Sequence, residues 1–273
     1  IAKTRIEKAM TSFKTIELDY SDKGVATLWL NRPERNNAFN AQMISELLAA
    51  MTEIQSAEGL RFLLLRGRGK HFSAGADLAW MRECAKLDYQ ANLGDAKELG
   101  QLMASLAQLS LPTLAVVHGA AFGGALGLIS CCDVAIGTSD SVYSLSEVRI
   151  GLLPAVISPY VVQAIGQRAA RRYALTAERF SGERARELGL LAECYPAQKL
   201  DEALQGWVNN LLLNSPQAMS ATKALMQTVK HGELTEDVRS YTEGAIAGIR
   251  VSTEGQEGLS AFLEKRQPAW QQG

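Results

Sequence analysis

The sequence predicts an α/β protein in which strands and helices stack in layers, and three observations carry that reading. The chain opens with a strand hairpin. Two units then follow in which an apolar strand runs into a glycine-rich loop and on into helical sequence. Beyond about residue 157 the apolar spacing becomes helical.

In order along the chain, residues 15–19 and 25–31 alternate with a period near two around Ser21-Asp22-Lys23-Gly24, which predicts two strands and a turn. Asn31-Arg32-Pro33-Glu34-Arg35-Asn36-Asn37 is a polar loop. Asn40 is placed to cap a helix whose apolar face is Met43, Leu47, Leu48, Met51 and Ile54. A short apolar strand, residues 62–65, leads through the glycine-punctuated segment 67–78 into polar helical sequence ending near residue 108. Pro112 then precedes a strand over 113–117, a glycine-rich loop over 119–124 and an apolar helix from about 125 to 132. Short strands near 134–136 and 142–144 lead to Glu147, Gly151 and Pro154, where the chain must turn. The helical remainder is broken at Gly166, Ser181-Gly182, Tyr195-Pro196 and Asn214-Ser215-Pro216. The expected organisation is a tag or upstream extension over residues 1–9, a sheet-bearing core over 10–200 and a helical region over 201–273 that packs on a neighbour.

Composition narrows the function classes. Of 273 residues 47% are apolar and 21% charged, as in an ordinary folded enzyme, and the formal charge of −1 supplies no general field for gathering nucleic acid. No stretch approaches the roughly 20 apolar residues of a membrane span, and Ile1-Ala2-Lys3-Thr4-Arg5 lacks a signal-like apolar run. A cytoplasmic location is expected. Cys84, Cys131, Cys132 and Cys194 show no CxxC spacing and the histidines are scattered, so neither a metal site nor a structural disulfide is expected.

Two features could carry chemistry. Gly123 and Gly124 stand where a loop opens a helix, and helix N-termini present free amides and a partial positive charge to an anion. An amide from the Gly75-Ala76-Asp77 turn would complete a two-donor oxyanion hole; tight turns and close packing explain the same glycines equally well. Glu147, set among apolar residues, suits a carboxylate of raised pKa that takes and returns protons; pairing with Arg149 or plain exposure is the rival account.

Several blocks occur in order: Arg32-Pro33 with Asn37-Ala38-Phe39-Asn40, Phe72-Ser73-Ala74-Gly75-Ala76-Asp77-Leu78, and Gly119-Ala120-Ala121-Phe122-Gly123-Gly124 with Cys132-Asp133. Ser146-Glu147-Val148-Arg149-Ile150-Gly151-Leu152-Leu153-Pro154 and an ending from Glu254-Gly255 to Arg266 follow. Together they resemble the crotonase (enoyl-CoA hydratase/isomerase) family over nearly all of residues 13–270. The resemblance implies a spiral of ββα units, a helical C-terminal trimerisation region, and trimers that pair into hexamers. It implies an acyl-CoA thioester substrate with no further cofactor, coenzyme A being part of the substrate. By matching blocks, the amides of Ala76 and Gly124 would form the oxyanion hole, Ala76, Asp77, Leu78 and Ala79 would line the coenzyme A site, and Glu147 would be the acid/base. Phe262 and Lys265 match positions that reach the adenine end of coenzyme A from an adjacent subunit.

One departure stands out. Family hydratases carry a second glutamate three residues beyond the oxyanion glycine, and here that place is Gly127. One carboxylate suffices to move a proton between two carbons, so a double-bond isomerase is the alternative to a hydratase. Over its whole length the chain nevertheless resembles bacterial methylglutaconyl-CoA hydratases, which implies hydration of a branched enoyl-CoA. Gly127 is therefore expected to leave room for a branched or carboxylated acyl chain, with Arg149 as a partner for its distal carboxylate. Two rival classes are a hydrolase built on His71-Phe72-Ser73-Ala74-Gly75 with His118 as base, and a non-catalytic protein that binds coenzyme A, or RNA through Arg32, Arg35, Arg66 and Arg68.

Overall fold

The structure, a computed structural model, describes residues 12–229 and 233–272. The extension inferred over residues 1–9 lies outside the described residues. The chain opens with the hairpin β1 (Ile16–Tyr20) and β2 (Val25–Leu30), whose turn uses Gly24 at φ +77°. Helix α1 (Ala41–Ser56) follows, with the Asn40 side chain accepting the Met43 amide as its N-cap and Met43, Ile44, Leu47, Ala50, Met51 and Ile54 forming its buried face. Next come β3 (Phe62–Gly67), α2 (Leu78–Cys84), α3 (Tyr89–Ala107), β4 (Thr113–Val117), β5 (Ala120–Phe122) and α4 (Gly124–Cys131). The core continues through β6 (Val134–Thr138), β7 (Val142–Ser144), α5 (Ser158–Ile165), α6 (Gln167–Thr176), β8 (Phe180–Ser181), α7 (Gly182–Glu187) and β9 (Glu193–Tyr195). The remaining helices are α8 (Leu200–Leu212), α9 (Pro216–Val229), α10 (Glu236–Val251) and α11 (Thr253–Leu263).

The strands form two layers. The larger sheet has the order β1-β2-β3-β4-β6-β9; β1 pairs antiparallel with β2 and every other pairing is parallel. All five residues of β4 and the apolar run of β3 are buried, the pattern of parallel strands covered on both faces. The smaller sheet has the order β5-β7-β8, and single parallel bridges continue it from Ala121 to Ser73 and from Ala76 to Phe39. Each winding of the chain thus lays one strand in the large sheet and one short extended stretch in the second layer, then adds helix. The second layer matters most for function, because its stretches end at the glycine-rich turns.

Several elements differ from the sequence expectation. The stretch 119–124 is not all loop, since β5 runs through it and pairs with β7. The polar helical sequence before residue 108 is two helices, separated at Ala85–Asp88 and capped afresh by the Asp88 side chain. Residues after 157 are not purely helical: β8 and β9 close the edges of the two sheets. β5, β8 and β9, of two or three residues each, carry too little periodicity to register, and partners elsewhere in the chain make them strands.

The chain falls into two compact units. Among the described residues, one comprises 12–109 and 113–204, and the other 110–112, 205–229 and 233–272. Within the second, buried Lys223 donates to the Leu111 carbonyl at 3.1 Å, and Glu254 accepts from the Ser215 hydroxyl and the Gln217 amide. No helix among the described residues is long and apolar enough to cross a membrane.

Candidate active site

The site assembles around the N-terminus of α4. Gly123 is the N-cap residue at φ +52°, and its amide is taken by the Ser144 carbonyl of β7 at 2.9 Å. A Cβ at Gly123 would stand 3.0 Å from Glu147 Oε1, so glycine is required both by the backbone angle and by the carboxyl lying over it. Gly124 then begins the helix, and its amide, one of the four without an intrahelical acceptor, donates to no group of the described chain.

A second free amide comes from a different winding. Phe39 donates its amide to the Gly75 carbonyl at 2.7 Å and accepts the Asp77 amide at 2.8 Å. These two bonds straddle Ala76, so the N–H of Ala76 itself points away from Phe39; Ala76 is exposed and its amide has no partner among the described residues. Gly75, at φ +91°, lets the two turns meet, since a Cβ there would lie 2.9 Å from the Phe122 carbonyl oxygen. Phe39 completes the link, because its Cε2 lies 3.1 Å from where a Gly124 Cβ would stand. One residue therefore holds Ala76 by its backbone and packs on Gly124 by its ring.

Glu147 begins a short 3-10 turn, Glu147–Ile150, closed by Gly151 in the left-handed region. Its side chain is half-buried, Oε2 has no hydrogen-bond partner, and burial pushes the carboxyl above the ordinary glutamate value. Arg149 is exposed and forms no ion pair with it, so the pairing account does not hold. A half-buried carboxyl with one unpartnered oxygen, lying against Gly123 at the start of α4, is costly to keep ionised and suited to taking and returning a proton.

Asp77 shows the opposite environment. It caps α2 by accepting the Ala79 amide at 2.8 Å and pairs with Arg32 at 2.9 Å. Burial alone would raise its pKa, but the Ala79 amide, the Arg32 guanidinium and the Trp80 amide together hold it below the usual aspartate value. Leu78, 72% exposed, and Ala79 follow on the open side of α2. In the second unit, Phe262 is 81% exposed near the end of α11, and Lys265 follows it at φ +55°.

Gly127 corrects the sequence expectation. The sequence alone suggests room there for an acyl branch, yet a Cβ at Gly127 would collide with Ile157 Cγ2 and stand 2.9 Å from Ile157 Cβ and 3.1 Å from Met103 Sδ. The space is occupied by the protein's own side chains. The hydrolase reading also loses its geometry: Ser73 is fully buried and donates to the Asn37 carbonyl at 2.8 Å, while the His118 ring is bonded to the Gly69 carbonyl. Three of the four arginines of the RNA reading are engaged by carboxylates, Arg32 with Asp77, Arg66 with Asp201 and Arg68 with Glu17.

Phe39 and Ile157 were not singled out in the sequence. Phe39 sits inside the matched block Asn37-Ala38-Phe39-Asn40, which was a usable signal. Ile157 had none, because its contact with Gly127 spans thirty positions of chain.

The enoyl-CoA hydratase/isomerase family matches residues 21–273. A crystal structure of an enoyl-CoA hydratase from Shewanella pealeana is 48% identical and superposes with a TM-score of 0.91, covering 94% of this chain and 96% of the other. The 2,3-dehydroadipyl-CoA hydratase of Escherichia coli is 29% identical, over 89% of this chain and 94% of its own. A peroxisomal Δ3,5-Δ2,4-dienoyl-CoA isomerase of Arabidopsis thaliana is 27% identical over 95% of this chain and 98% of its own.

Proposed function

The chain belongs to the enoyl-CoA hydratase/isomerase family, and from that premise we propose that it hydrates a 2-enoyl-CoA thioester with a methylglutaconyl-like branch. The observation that carries the mechanism is the pair of free amides, Ala76 and Gly124, with the half-buried Glu147, whose Oε2 has no partner, lying against Gly123. The thioester carbonyl oxygen accepts from both amides. As water adds to C3, the electrons of the double bond move toward that oxygen, and the two donors stabilise the enolate; removing one such donor costs about 3–4 kcal/mol of barrier in comparable sites. Glu147 takes the proton released by the attacking water and returns a proton to C2, so the carboxylate ends as it began. Its raised pKa suits both transfers.

Ala76, Asp77, Leu78 and Ala79 line the coenzyme A site in this reading. The Asp77 side chain, already engaged by α2 and Arg32, shapes that wall and does not bind the ligand. Phe262 and Lys265 reach the adenine end in a neighbouring subunit of a trimer. Coenzyme A arrives with the substrate and no other cofactor enters.

A second reading has an observation in its favour. With Ile157 filling the space at Gly127, Glu147 has no second carboxylate opposite it on α4, and a single carboxylate can shuttle a proton from C2 to C4 of a 3-enoyl chain. Measuring water addition to 2-enoyl-CoA thioesters and double-bond shift of 3-enoyl-CoA thioesters with the same wild-type protein decides between them. Hydration of a branched substrate is expected to dominate. Dominant isomerisation would replace the hydratase assignment while keeping the two amides and Glu147. Gly124→Pro tests the amide pair, because proline is tolerated at the first helical position yet has no N–H to donate. Turnover should fall about 100- to 1,000-fold, and wild-type rates in a folded variant would eliminate the mechanism.

A further inference from the structure

The geometry points to Ile157 as the residue that sets the width of the acyl site. This rests on the reading that the free amides of Ala76 and Gly124 hold a thioester carbonyl. A helical side chain leans back over the turn N-terminal to its own Cα. A side chain at position 127 would therefore lie over the first turn of α4, where Gly124 presents its amide. Ile157 occupies that place, with its Cγ2 and Cβ against Gly127 and Met103 Sδ alongside.

Ile157 has nowhere to withdraw. It is 3% exposed, and Met103 on α3 behind it is completely buried. The preceding residue also faces α3, since Val156 Cγ1 lies 3.8 Å from where a Cβ at Gly100 would stand. The segment between Pro154 and α5 is thus wedged against both α3 and α4. A β-branched side chain also has few rotamers to choose from, which makes the wall stiff.

The consequence concerns the acyl chain. A carbonyl oxygen held by the two amides fixes C2 and C3 close to the first turn of α4, so substituents at C3 meet the Ile157 wall. That wall is apolar and admits a methyl branch or an unbranched chain. A bulkier group at C3 must displace a side chain that the core holds in place. One methylene too many against such a wall is worth roughly 10- to 200-fold in discrimination.

The test uses binding of saturated thioesters, which needs no turnover. Titration calorimetry of the full chain with butyryl-CoA, 3-methylbutyryl-CoA and 3-phenylpropanoyl-CoA should give similar affinities for the first two and binding about 30-fold weaker for the third. Ile157→Ala should recover at least tenfold of that difference relative to butyryl-CoA. Ile157→Val, which removes a single methylene and guards against a misfolded alanine variant, should shift the ratio in the same direction by less. An unchanged ratio in both folded variants, or equal binding of all three ligands by wild type, overturns the role of Ile157 while leaving acyl-CoA binding intact. Failure of wild type to bind any of the three would instead sink the functional reading together with this inference.

Discussion

Asp77 and Glu147 are two carboxylates at the edges of one site, and their surroundings treat them in opposite ways. Asp77 has an amide, a guanidinium and a helix terminus to satisfy it, and its pKa falls. Glu147 has an oxygen with no partner, and its pKa rises. The first arrangement fixes a charge for the sake of the fold. The second keeps a proton exchangeable, at a cost in stability that a merely structural role would not justify.

The largest expected effect follows from that contrast. Glu147→Gln keeps the volume and removes the proton carrier, so kcat should fall about 100- to 10,000-fold while the protein stays folded; rates near wild type would assign the base elsewhere. Its stability should move the other way. Because the folded pKa lies above the usual value of 4.5, wild-type stability declines as pH rises from there through the folded value. The glutamine variant is therefore expected to melt higher than wild type at neutral pH and equally below about pH 4, the ordinary carboxylate range. A variant that melts lower at neutral pH would contradict a net cost of burying the carboxylate.

Asp77 should give the mirror image. Asp77→Ala removes a helix cap and leaves the Arg32 side chain, 14% exposed, with the Ala38 carbonyl but no carboxylate, so a loss of about 2–4 kcal/mol is expected in denaturant unfolding at neutral pH. Since the folded pKa is depressed, this contribution is complete above the usual aspartate value of 3.8 and disappears as pH falls through the folded value. A gap between wild type and variant that persisted at the lowest pH would show that packing, not charge, carries it.

The smallest effect is expected at Arg149. The side chain is exposed and does not pair with Glu147, so Arg149→Ala should change stability by less than about 0.5 kcal/mol. The acid limb of the pH–rate profile on a thioester with an uncharged acyl group should not move. An upward shift of that limb would mean the guanidinium does hold the carboxylate down, and the contrast with Asp77 would weaken.

Much of this arrangement was legible in the sequence because it is written locally. Asn40 announces a cap one turn before its apolar face, Gly24 marks a left-handed turn, and Gly123-Gly124 follow a strand at the start of a helix. Glu147 stood out among apolar neighbours. What escaped depends on partners distant in the chain: β9 becomes a strand only beside β6, and Gly127 reads as empty space until Ile157 is seen to fill it. The Asp77–Arg32 pair likewise joins residues forty-five positions apart.

Phe39 gives the site a property that neither glycine turn has alone. Its backbone holds Ala76 and its ring bears on Gly124, so the gap between the two donors is gauged by a core side chain, 3% exposed. The amides come from separate windings of the chain, and their spacing is only as constant as the packing around that ring. Any loosening of the core is thereby transmitted directly to the distance over which an oxyanion must be shared, and the chemistry acts as a sensitive gauge of how tightly the layers are closed.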